Sequence, residues 1–165
     1  MFYLIAAVLY SCVSTGFAST QTPILTPCSA THIVIIDDVK ITNAKVGETM
    51  VLAYSGQLMQ TLDGSPTVKF TMTIKKGNIK LPCIADLGSC EYDLCGGTST
   101  IEMLFGAAWN NTCPIPAGSY SSTVNFNIPA FAGLFIGDGN LHIKIEAIDN
   151  KNVLECEEFD IKIDK

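Results

Sequence analysis

The sequence predicts an all-β fold, two antiparallel sheets packed as an immunoglobulin-like sandwich. Three observations carry that expectation. Apolar and polar residues alternate with a period of two in the best-patterned segments, turn residues separate those segments, and no stretch shows a clear helical period.

The clearest strand is Val68-Lys69-Phe70-Thr71-Met72-Thr73-Ile74-Lys75, apolar at every second position. Val124, Phe126 and Ile128 alternate with Asn125 and Asn127. Leu141, Ile143, Ile145 and Ala147 alternate with His142, Lys144 and Glu146, and Phe159, Ile161 and Ile163 with Asp160, Lys162 and Asp164. One face of each strand is therefore buried and the other wet, as antiparallel sheets allow. Ile33 to Ile41 and Met50 to Met59 read as further strands with less regular patterns. Turn signals fall at 43–47, 63–66, 76–78, 137–140 and 149–152. About seven or eight short strands so spaced make a sandwich.

The apolar run from Leu4 to Val13, followed by the small residues Gly16 and Ala18, reads as a secretory signal peptide spanning 1–18. It is shorter than the ~20 residues that cross a bilayer. Residues 19–165 are then expected to form one domain, exported to a secreted or lysosomal location. Cys12 leaves with the signal. Cys28, Cys83, Cys90, Cys95, Cys113 and Cys156 remain, an even set that reads as a disulfide framework with about 15 pairings open.

The net charge is −6, and all ten basic residues are lysines. Nucleic acid is thereby disfavoured as a partner, since it calls for a clustered basic face and favours arginine forks. His32 and His142 stand in no catalytic motif, and neither a Gly-x-Ser-x-Gly elbow nor a His-Glu-x-x-His metal motif occurs. No catalytic residue, metal or cofactor is expected. The cluster Glu155, Glu157, Glu158 and Asp160 reads as a solvated strand face.

Two apolar segments break the alternation. Pro129 to Ile136 carries Phe131, Leu134, Phe135 and Ile136 with no charge among them. It reads either as a plug in the sandwich end or as an exposed flap that meets lipid or a membrane surface. The second segment holds Met103, Leu104, Phe105 and Trp109, just before the only glycosylation sequon, at Asn110.

The run from Leu81 to Cys95, with Pro82-Cys83, Gly88-Ser89-Cys90 and Cys95, resembles the ganglioside activators of the ML lipid-recognition superfamily. So do Ile101-Glu102-Met103-Leu104, Cys113-Pro114, Gly118-Ser119-Tyr120-Ser121, Phe126-x-Ile128-Pro129 and Leu154-x-Cys156, in order along the chain. Vertebrate activators have a longer insert with another cysteine pair between the positions matching Leu104 and Gly118; this chain lacks it.

The resemblance implies a sandwich opened into a β-cup around an apolar lipid cavity, and the pairings Cys28–Cys156, Cys83–Cys90 and Cys95–Cys113. It further implies a non-enzymatic protein that lifts a glycosphingolipid from a membrane and presents it to a lysosomal β-hexosaminidase. The wider family adds carriers of sterol, fatty acid or bacterial glycolipid. Phe70, Met72, Ile74, Val124, Phe126, Leu141 and Ile143 are then expected to line or underlie a cavity of roughly 300 Å³ or more. Met103, Leu104, Phe105 and Trp109 join them, and Phe131, Leu134, Phe135 and Ile136 form a flap at its mouth.

Overall fold

The computed structural model describes residues 18–165; the signal-peptide expectation lies almost wholly outside them. The elements are β1 (Thr20–Gln21), β2 (Thr26–Pro27), β3 (Val34–Thr42), β4 (Thr49–Leu58), β5 (Thr67–Ile74), β6 (Ile79–Lys80), β7 (Glu91–Asp93), α1 (Thr100–Gly106), β8 (Gly118–Asn127), β9 (Asn140–Asp149) and β10 (Asn152–Lys162). Two antiparallel sheets result. One runs β1-β3-β4-β8; the other runs β2-β10-β9-β5, with β6 and β7 both on the far edge of β5. Neither closes into a barrel.

The alternating segments do what their pattern demands. Phe70 pairs with Ile145, and Met72 with Ile143, while Phe159 faces Ile143 from the other side. Cross-strand partners share a face, so these side chains meet inside the sandwich. On the outer face of the same sheet, Lys69 and Lys144 pair with Glu146, and His142 lies between Glu158 and Asp160.

The irregular pattern of β3 has a local cause. Its register against β4 shifts between Ile36 and Asp38, leaving Asp37 as a bulge. Strict alternation would turn Asp37 inward below Val39. The extra residue resets the phase, so Asp37 stays exposed and Ile36 and Val34 face the interior. Gly56 sits opposite, where a Cβ would come within 2.4 Å of the Ile35 carbonyl oxygen, so only glycine fits the bulge.

All three disulfides join the pairs the resemblance implied: Cys28–Cys156, Cys83–Cys90 and Cys95–Cys113. The first links cysteines 128 positions apart. A loop that long restricts the unfolded chain enough to contribute roughly 5 kcal/mol in the chain-entropy account.

A helix is present where the sequence pattern predicted none. Ser99 caps α1, its hydroxyl accepting from the Glu102 N–H at 3.2 Å, while Glu102 accepts from the Ser99 N–H at 2.9 Å. This reciprocal box satisfies two orphan donors at the helix start. Glu102 also takes the N–H groups of Thr98 and Asp93. These backbone bonds, those of Ser99 and Asp93 foremost, hold its carboxyl below the usual glutamate value.

Candidate functional site

The sandwich is solid at one end and hollow at the other. At the end where β8 leaves and β9 enters, Val124 and Leu141 are fully buried, with Ile74, Ile128, Ile136 and Ile163 packed among them. Toward the opposite end, where β4 runs into the 59–66 loop, the sheets enclose a cavity of about 230 Å³. Val34 and Ile36 of β3, Leu52, Tyr54 and Leu58 of β4, and Val68 of β5 form much of its wall. Ile145 of β9 and Phe159 of β10 close the other side. Leu62, Trp109, Ile115 and Leu154 complete its far end from loops, turns and a strand start.

The polar groups of the wall aromatics are spent elsewhere. Trp109 Nε1 donates to the Leu94 carbonyl at 2.6 Å, and the Tyr120 hydroxyl to that of Pro116 at 2.6 Å. The Tyr92 hydroxyl donates to Asp86 O at 2.8 Å. Burial first, then the charges of Asp86 and Glu102, push the Tyr92 phenol up to about 12, so it stays neutral. The faces these rings turn inward are therefore apolar.

The cavity falls short of the roughly 300 Å³ expected of it, for a specific reason. Phe105, on the last turn of α1, enters between the sheets. Its ring lies 5.9 Å from Phe70, 5.7 Å from Tyr92, 6.1 Å from Tyr54 and 6.3 Å from Phe126, centroid to centroid. An aromatic cluster thus fills the middle of the sandwich, where an empty cup was expected.

Of the residues singled out by sequence, Phe70, Met72, Phe105, Trp109, Phe126 and Ile143 lie in the cavity wall. Ile74, Val124 and Leu141 belong to the solid end. Leu104 packs on the core, and Met103 is exposed on the helix. Asn110 is exposed in a left-handed turn.

The 129–136 segment does not sit at the cavity. It forms a 3-10 turn over Ala130–Leu134 at the solid end, beside Val46. Ile136 plugs the core there, while Phe131, Leu134 and Phe135 stay exposed. The expected flap at the mouth is thus corrected to a cap on the opposite end. β8 ends and β9 begins there, and a segment joining them cannot reach the other end.

The acidic cluster is corrected too. Glu155 pairs across strands with Ala147 and Glu157 with Ile145, which turns both carboxylates to the inner face. Glu155 is 2 % exposed and accepts from its neighbour's N–H (Cys156, 3.0 Å) and from Ser29 Oγ (3.4 Å), with His32 Nδ1 at 3.2 Å. Glu157 is buried with no partner for Oε2. Burial, then the charge of Glu155, raises its pKa against the opposing pull of His32. Only Glu158 and Asp160 behave as a solvated face.

β4 supplied much of the wall that sequence reasoning missed. Met50, Leu52, Tyr54 and Leu58 recur at even spacing, but Gly56 and the polar neighbours Ser55 and Gln57 blur the pattern. Leu62 and Ile115 come from loops joined by an isolated bridge, which no periodicity reveals.

Two open sheets around an apolar hollow make a cup between the sheets. This chain belongs to the ML domain family, whose pattern spans residues 24–163. Its fold is similar to a Niemann-Pick type C2 protein from the Japanese carpenter ant, with a TM-score of 0.55 and 11 % identity, covering 84 % of this chain and 98 % of that one. The C-terminal domain of wzt aligns with a TM-score of 0.45 and 9 % identity, over 87 % of this chain and 78 % of that one. No curated protein matches the sequence. Among the described residues, no group of metal-ligating side chains converges and no helix is long and apolar enough to cross a membrane.

Proposed function

We propose that the protein is a non-enzymatic lipid carrier that holds the hydrocarbon of its ligand in the cavity between the sheets. The observation that carries this is the wall itself: a hollow of about 230 Å³ lined by Val34, Ile36, Leu52, Val68, Ile145 and their neighbours. Each buried CH₂ contributes about 0.8 kcal/mol, so apolar walls suffice for affinity without any catalytic group. Three disulfides suit an oxidising compartment, which supports a secreted or lysosomal setting.

The finer reading is that the carrier meets a membrane surface transiently, extracts a glycosphingolipid and presents it to a lysosomal β-hexosaminidase. It rests on the ganglioside-activator motifs. The other reading is a secreted carrier of sterol, fatty acid or bacterial glycolipid, and a hollow of this size suits one chain better than two. A two-chain ceramide would need the sheets to part or Phe105 to move.

Native mass spectrometry of the purified protein, followed by extraction and identification of the bound molecule, tests the proposal. A stoichiometric lipid is expected. Protein that carries no lipid and takes up none from vesicles would overturn it.

A further inference from the structure

Two hollows meet at Leu62 and Leu154. Both residues line the apolar cavity, and both also line a groove at the same end of the sandwich. The rest of that groove mixes polar side chains, among them Gln60, Thr61, Asp63 and, at the β9–β10 turn, Asp149, with the apolar Ile33 and Val153.

Asp149 is the unusual member. It is 8 % exposed, and its Oδ1 has no hydrogen-bond partner. That oxygen lies against Gly64, where a Cβ would come within 2.3 Å of it. A carboxylate withdrawn from water without a counter-charge is costly, and a cation or donor brought to it relieves that cost. The ionisable side chains in the groove wall are Asp63 and Asp149; Lys151, at the exposed tip of the turn, is not part of it. The wall therefore carries two negative charges and no positive one.

We propose that this groove is a headgroup subsite for a lipid bearing a positively charged amine. The hydrocarbon lies in the apolar cavity, the chain passes between Leu62 and Leu154, and the ammonium docks on Asp149 with Asp63 beside it. The inference rests on the carrier reading and adds the charge of the ligand, which narrows that reading by setting aside a fatty acid and any acidic glycosphingolipid. An acidic head meets two like charges in a partly desolvated groove and is rejected.

Three probes with one chain and different heads separate the possibilities: octadecylamine, octadecanol and octadecanoate, each titrated against the whole protein at neutral pH and low salt. The amine should bind about tenfold or more tightly than the alcohol, the ratio a charge-assisted bond supplies, and the carboxylate more weakly than either. Raising the salt should shrink the spread. Asp149→Asn, nearly equal in shape, should remove most of the amine preference and leave the alcohol unchanged; Asp63→Asn should reduce it partially. Unchanged melting of both variants shows that the fold is kept. Equal binding of all three probes, or an equal loss of all three in Asp149→Asn, would overturn the headgroup site while leaving the cavity in place. Failure of every probe to bind would remove the carrier reading and this site with it.

Discussion

Phe105 of α1 and Phe70 of β5 lie with ring centroids 5.9 Å apart and planes 23° from parallel. One side chain from a seven-residue helix thus bridges the sheets and sets how much room is left between them. Phe105→Ala should lower stability by about 3–5 kcal/mol, the usual cost of removing a buried phenyl ring, as measured by urea unfolding. The same variant should take up two-chain lipid more readily than the parent. Loss of stability with no gain in capacity would show that the ring is core only.

The cap of α1 should be visible in acid. Ser99→Ala is expected to cost about 1 kcal/mol. Glu102 has a depressed pKa, so its contribution is present above the ordinary glutamate value and is lost as pH falls through the lowered one. Urea midpoints measured from neutral to strongly acidic pH should fall less steeply for Glu102→Gln than for the parent.

Glu157 has the opposite sign. Its raised pKa means that the unfolded chain ionises first as pH rises, so stability is lost between the ordinary glutamate value and the raised one. The charges acting on it are Glu155, which raises the value, and His32, which lowers it. Glu157→Gln should melt higher than the parent at neutral pH, and the gap should close below the ordinary glutamate value. Calorimetry at both pH values decides this; a variant that melts lower at neutral pH contradicts it.

Exposure separates the two halves of the 129–136 segment. Leu134 is 83 % exposed and Ile136 5 %. Leu134→Ala should change stability by no more than about 0.5 kcal/mol, whereas Ile136→Ala should cost about 2–5 kcal/mol. Equal effects in a chemical-denaturation series would mean that the segment does not plug the end as described.

Much of the architecture was legible because it rests on period-two alternation: β5, β8, β9 and β10 follow it closely. β3 was obscured by one bulged residue, Asp37, which shifts the phase midway. The two- and three-residue strands β1, β2, β6 and β7 are too short to show a period. α1 was hidden for the same reason, although Ser99-x-x-Glu102 ahead of Leu104 and Phe105 is a cap signature. Glu155 and Glu157 were misread because alternation marks which residues share a face and not which face is buried. The site was half legible. Strand residues of its wall were read from alternation, but Leu62, Ile115 and Leu154 come from loops, a turn and an irregular strand start. The end of the sandwich that is hollow depends on long-range packing alone.

Ala147 offers the most direct test of the central claim. It is a small side chain of β9 in the cavity wall, paired with Val68 and Glu155. Ala147→Phe should place a ring in the hollow, where it displaces ligand while overpacking little. Octadecanol titrated into parent and variant is predicted to bind the variant about tenfold more weakly or not at all, with the three disulfides formed and melting close to the parent's. A well-folded variant that binds octadecanol as tightly as the parent would contradict the claim that the ligand lies between the sheets.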